Sequence, residues 1–137
     1  MGTTNFWSGA HTKHRLKYHI TFIPKYRHGV LQGEVATHTK QLFYDCAKAN
    51  SWWIEELDTL EDHVHMLVRL PPRYSVPKAV QLLKGGSSKV LREEHPKLDV
   101  WLWGDSFWAE GYFAETVGRV HESEMKKYIQ KQSQHDA

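Results

Sequence analysis

From Leu16 to Ile23 apolar and polar residues alternate, the signature of a strand with one buried face, and Pro24 closes the run. The spacing then changes. Between Glu34 and Asn50, Val35, Leu42, Phe43, Cys46 and Ala49 recur at helical intervals, so a helix is predicted there, ended by Asn50-Ser51. Two strands follow at residues 52–57 and 63–70, separated by the acidic stretch from Asp58 to Asp62, and they read as a hairpin or close neighbours. Pro71-Pro72 stops the second. From Ser75 to Glu94 the positions Val76, Ala79, Val80, Leu83, Val90 and Leu91 form one helical stripe. Gly85-Gly86 falls in its middle, where each glycine costs about 1 kcal/mol, which predicts a bend or, preferably, close approach by a partner backbone. Residues 101–108 read as an aromatic-rich loop and Tyr112–Val117 as a last strand closed by Gly118. A final helix is predicted over 121–132, with Met125, Tyr128, Ile129 and Gln132 near one side and Lys126, Lys127 and Lys131 largely on the other.

Strand, helix, strand, strand, helix, strand, helix is the order of an α+β, ferredoxin-like split βαβ fold. It implies a four-stranded antiparallel sheet with helices on one face, plus a C-terminal helix. A length of 137 residues suits a single domain over 1–137, with residues 1–13 as a flexible arm.

Charge changes this picture little. Eighteen basic against sixteen acidic residues give a formal +2, so any surface for an anionic partner must be local. Cys46 is the sole cysteine, which excludes an intrachain disulfide and a cysteine-built zinc site and fits a reducing compartment. No run approaches the roughly 18 apolar residues of a membrane helix, and the first residues lack a secretion signal. The expectation is a cytoplasmic protein without a membrane partner.

Candidate chemistry begins at His63-Val64-His65. Two residues apart on a strand, the imidazoles point to the same side, half of a metal site. With ten histidines in the chain, roughly 0.7 such pairs arise by chance, so the pair alone proves nothing. Tyr128 and Gln132, four apart, share one helical face. Two imidazoles and the Gln132 carbonyl would form a mixed nitrogen and oxygen site with open positions, suited to Mg²⁺ or Mn²⁺ gripping phosphate oxygens. Tyr128 would then be a nucleophile toward phosphorus. The alternatives are histidines facing a groove without metal, a core tyrosine and a solvated amide. Arg15, Lys17, Lys25, Tyr26 and Arg27 around the first strand, with Lys84 and Lys89 on the second helix, are candidate DNA contacts, and ordinary solvated charges are the plainer reading. Trp101, Trp103, Phe107 and Trp108 could stack on bases, although core or interface packing explains them as well.

Taken together, these segments resemble the single-tyrosine HUH transposases of bacterial and archaeal insertion sequences of the 200/605 type. Tyr18-His19 to Lys25-Tyr26-Arg27 resembles the family's first strand, Asp62-His63-Val64-His65-Met66-Leu67-Val68 its HUH strand, and Leu83-Lys84-Gly85 with Ser87 its second helix. Leu102-Trp103-Gly104, Trp108, Tyr112 and Gly118 are similar to its late signature, and Tyr128-Ile129-Gln130-Lys131-Gln132 to its nucleophile helix. Glu61 departs from the proline common before Asp-His in relatives, and the arm matches nothing. The resemblance implies a divalent metal on His63, His65 and Gln132, and attack by Tyr128 on a scissile phosphate of single-stranded DNA. A 5′-phosphotyrosyl link and a free 3′-OH would result. It further implies recognition of hairpins at element ends and a homodimer whose active sites can be shared between subunits. A replication-initiator nickase, a domesticated repeat-processing enzyme or a non-catalytic structured-DNA binder are the competing expectations.

Overall fold

The computed structural model describes residues 16–103, 106–118 and 129. Its elements are β1 (Leu16–Phe22), a 3-10 turn (Lys25–Arg27), α1 (Gly33–Ala49), β2 (Trp53–Leu60), β3 (His63–Leu70), α2 (Val76–Glu94), a second 3-10 turn (Pro96–Leu98), α3 (Asp99–Leu102) and β4 (Phe113–Thr116). The strands make one sheet in the order β2-β3-β1-β4, and each neighbouring pair is antiparallel. This is the α+β architecture expected from the sequence pattern.

Alternation along β1 and β3 divides the sheet into two chemically distinct faces. Ile20 lies opposite Met66 and Phe22 opposite Val64, and with Val68 and Leu70 they join Phe43 and Ala47 of α1 and Ala79, Val80, Leu83 and Leu91 of α2 in one buried core. Each such large side chain, removed from water, contributes about 1.5–3 kcal/mol. The opposite parity puts Lys17, His19 and Thr21 of β1 across from Arg69, Leu67 and His65 of β3. Leu67 is fully buried without belonging to the helix-side core. Ile129, helical and equally buried, is likewise outside that core. The rest of the predicted helix over 121–132, and the arm at 1–13, lie outside the described residues.

Local chemistry sets the helix starts. Ser75 caps α2 by accepting a hydrogen bond from the Lys78 amide at 3.2 Å, and a proline occupies its first turn. Gly33 opens α1 at φ +53°, a left-handed conformation in which a Cβ would be strained. Among the described residues, no helix is long and apolar enough to cross a membrane.

Three expectations change. β2 runs on to Leu60, because Asp58 and Thr59 pair with His65 and Val64, and the acidic stretch shrinks to a two-residue turn at Glu61-Asp62. Residues 101–108 are not simply loop: Trp101 and Leu102 finish the short α3, while Phe107 and Trp108 are core. Gly85-Gly86 does not interrupt α2, and among the described residues a Cβ at either position would find nothing within 4 Å.

That openness has a measurable consequence. Gly85→Ala and Gly86→Ala should each raise stability in urea denaturation by about 0.4–1 kcal/mol, because alanine restricts the unfolded chain and fits a helical backbone. A decrease in either variant would show that the glycine serves something other than the helix.

Candidate active site

The two-residue turn launches β3 directly, so His63 is its first residue and His65 follows on the same face. Their rings lie edge to face with centroids 4.6 Å apart and planes at 83°. Each imidazole is held by a different neighbour. His63 Nδ1 is 2.6 Å from Asp62 Oδ1, and Asp62 Oδ2 accepts a 3.0 Å hydrogen bond from Arg27 Nε. Burial by itself would raise the Asp62 pKa, but the hydrogen bonds and charges of His63 and Arg27 outweigh it and keep the carboxyl below its ordinary value.

His65 is held from β1. Thr21 Oγ1 lies 3.3 Å and His19 Nε2 3.4 Å from His65 Nδ1, and the two imidazoles stack in parallel, with centroids 5.6 Å apart and 2° between planes. His19 is buried, and desolvation lowers its pKa against the opposing field of Glu115. Burial therefore favours its neutral form. Its Nδ1 has no hydrogen-bond partner among the described residues. In both His63 and His65 the Nδ1 atom is committed to protein groups, the arrangement that orients a metal-binding imidazole to coordinate through Nε2.

These observations fit a divalent cation in part. Two neighbouring imidazoles with held ring orientations supply half of a site, and among the described residues no third histidine, cysteine or carboxylate completes a cage with them. An amide oxygen from elsewhere would suit Mg²⁺ or Mn²⁺, which keep open positions for phosphate oxygens and water. Gln132, the expected third ligand, and Tyr128, the expected nucleophile, lie outside the described residues, as does Arg15.

The remaining predicted DNA contacts separate into four kinds. Lys25, Tyr26 and Arg27 form the turn after β1, with Tyr26 half exposed, the Arg27 side chain mostly exposed and the Lys25 ammonium 5.8 Å from the Tyr26 ring centre. Lys17 is buried on the sheet face and sits 3.3 Å from Glu55, which Arg69 also engages. That places it in an internal ion group instead of on an open basic surface. Lys84 donates to the carbonyls of Ala109 and Gly111 at 2.7 and 2.6 Å, so two of its protons tether a loop to α2. Burial lowers its pKa, with Glu110 opposing. Lys89 is exposed in a shallow groove with Gly85, Ser88 and Arg92.

Sequence reading overlooked His19 and Thr21 as supports of the pair, and Asp62 and Arg27 as a relay to it. Their signal was the alternation of β1, which carries polar groups at 17, 19 and 21. It becomes interpretable only once the pairing of Thr21 with His65 is known.

Comparison with known proteins follows the same outline. The family described as "Transposase IS200 like" matches residues 12–132. The chain is 37% identical over 123 residues to the ISDra2 transposase TnpA of Deinococcus radiodurans, covering 90% of this chain and 86% of that protein. It is 35% identical over 127 residues to the transposase for insertion sequence element IS200 of Salmonella typhimurium, covering 93% and 83%. A crystal structure of a protein assigned as a transposase in D. radiodurans R1 superposes with a TM-score of 0.73 at 32% identity, over 89% of this chain and 94% of that one. A REP-associated tyrosine transposase bound to a REP hairpin shares the fold, with a TM-score of 0.63 at 11% identity over 83% and 64% of the two chains.

The relay from Arg27 to His63 can be tested by pH. Because folding holds the Asp62 carboxyl below its ordinary value, its contribution to stability is complete above the ordinary carboxylate range and disappears as pH falls through the folded-state value. Asp62→Ala should therefore shrink the loss of urea stability on acidification. Imidazole ¹⁵N NMR at neutral pH should show His63 losing its preference for a proton on Nδ1. Identical His63 spectra in the two proteins would mean that the contact does not form in solution.

Proposed function

We propose a specific chemistry for this chain, which belongs to the IS200-like transposase family of DNA-transposing enzymes: metal-dependent transposition of single-stranded DNA, with Tyr128 as nucleophile. The observation that carries the reading is the His63/His65 pair, adjacent on one sheet face and each oriented through Nδ1 by a neighbour, as imidazoles that bind metal through Nε2 are. His63, His65 and Gln132 would hold Mg²⁺ or Mn²⁺. When bound, such an ion polarises the scissile phosphate and stabilises the charge that develops on it.

The chain's own residues account for the rest. Asp62 and Arg27 hold His63, and Thr21 with His19 hold His65, so the two rings need no reorganisation as substrate arrives. Tyr128 Oη loses its proton and attacks phosphorus; the bond from phosphorus to the 3′ oxygen breaks, and that oxygen leaves as a 3′-OH after taking up a proton. The 5′-phosphotyrosyl link conserves the energy of the broken bond, so a second 3′-OH can displace Tyr128 and rejoin DNA without a nucleotide cofactor. Ile129, adjacent to Tyr128 in sequence, is helical and buried apart from the helix-side core, and Leu67 is buried on the histidine face. Both facts support a C-terminal helix laid over that face, from the same subunit or its partner in a homodimer. DNA hairpins at the ends of a mobile element are the substrates this reading expects.

The test is cleavage of single-stranded oligonucleotides carrying hairpins, with covalent protein–DNA adducts resolved by denaturing electrophoresis. Tyr128→Phe should lower adduct formation at least about 10³-fold while hairpin binding persists, and His63→Ala or EDTA should do the same. Adducts that survive Tyr128→Phe would move the nucleophile elsewhere. Cleavage that is indifferent to EDTA would remove the metal from the mechanism.

A further inference from the structure

Beside the histidine pair lies a cluster of aromatic rings that the proposed chemistry does not use. Tyr26 and His28 come from the turn after β1, and Trp101 and Trp103 from the end of α3. Ring centroids are 5.7 Å apart for Tyr26 and Trp103, 5.7 Å for Tyr26 and His28, and 5.4 Å for His28 and Trp101. Three of the four are nonetheless exposed, Tyr26 at 50%, Trp101 at 51% and Trp103 at 77%, and His28 is half-buried. Interplanar angles of 48°, 69° and 58° mean that none of these contacts is a face-to-face stack.

The backbone beneath them is unusual. Tyr26, Arg27 and Trp103 have φ of 59°, 54° and 49°, and they are three of the four non-glycine residues with positive φ among those described. Side chains of this size rarely adopt that conformation. A fold that holds large rings out in water on a strained backbone points to a ligand.

Resting on the reading of single-stranded DNA as substrate, we infer that Tyr26, His28, Trp101 and Trp103 form a platform on which unpaired bases stack next to the scissile phosphate. Charge selects this occupant. Lys25 and Arg27 border the rings, positions that suit the phosphates of a strand whose bases lie on the platform. A second copy of the chain docking symmetrically here would instead bring like charges together. Position supports the same choice: Arg27, at the platform's edge, bonds to Asp62, and Asp62 bonds to His63, so the base site and the phosphate site share one hydrogen-bonded connection.

The experiment measures binding by fluorescence anisotropy with EDTA present, using a dye-labelled oligo(dT) of about 15 nucleotides, a length that spans several stacked bases. Trp103→Ala and Tyr26→Leu should each weaken binding about tenfold, and Trp103→Phe should recover most of the loss, because stacking needs a ring and not an indole. The salt dependence of binding should stay unchanged in these variants, since no phosphate contact is removed. Replacing the thymines by abasic sites should weaken wild-type binding comparably and make Trp103→Ala silent. Unchanged affinity in both aromatic variants, with a wild-type protein that binds and cuts, would overturn the platform alone. So would a change from dimer to monomer in Trp103→Ala by sedimentation with affinity per subunit preserved, which would identify the patch as a contact between copies. A wild-type protein that neither binds nor cuts single strands would overturn the underlying reading together with the platform.

Discussion

The register of β3 between β1 and β2 is the constraint on which the molecule depends. Val64, Met66, Val68 and Leu70 fill the core while His63, His65, Leu67 and Arg69 occupy the other face, and the two sets are offset by a single residue. A slip of one position would bury the imidazoles among Phe43 and Leu83 and turn the core outward. The hydrophobic effect that stabilises the sheet therefore also aims the histidines. Stability and site geometry come from one alternation, and the helices are needed on only one side.

The face away from the helices has to reconcile burial with polarity, and it does so in two ways. At the far end of β1, Lys17 and Arg69 both engage Glu55, brought within reach by a bulge in β2 between Ile54 and Glu56. Ions withdrawn from water are a poor source of net stability, but removing one member leaves the others uncompensated, so the group pins three strands in their pairing. Near the histidines the solution is neutrality. Burial disfavours the ionised form of His19, and its ring stacks on His65.

How much of this was legible follows from the range of each signal. The alternation of residues 63–70 and the helical stripe of 76–91 are local, and both elements appear where the pattern put them. His63 and His65 stood out for the same reason. Thr21 and His19 did not, because their role exists only across a strand pairing that joins residues 44 and 46 positions apart. Asp58 and Thr59 looked like turn residues because both are polar, which removes the contrast a strand assignment needs, although in the strand they lie on opposite faces, across from His65 and Val64. The one-turn helix at Asp99–Leu102 is too short to show any period, so Trp101 and Trp103 could not be given directions.

Side-chain direction also decides where a nucleic acid can be gripped. The run from Lys84 to Lys89 has the composition of a phosphate contact, yet Lys84 holds Ala109 and Gly111, Ser87 accepts the Trp108 indole at 2.8 Å, and Ser88 accepts the Phe107 amide at 3.0 Å. This part of α2 is a bracket that fixes the segment leading into β4. Lys17 is similarly occupied within the sheet. With those charges buried in structure, the basic residues near the histidine pair that reach solvent are Lys25 and Arg27, the latter mostly exposed while its Nε bonds Asp62, in a turn where left-handed backbone holds Tyr26 and Arg27 outward. A turn positioned by β1 on one side, and by the Lys25 amide bonded to the Phe107 carbonyl at 2.8 Å on the other, can carry that strain because the core below is already closed. The rigid bracket and the strained turn are thus parts of one arrangement: α2 orders the segment around Phe107, that segment anchors the turn, and the turn delivers Arg27 to Asp62 and so to His63.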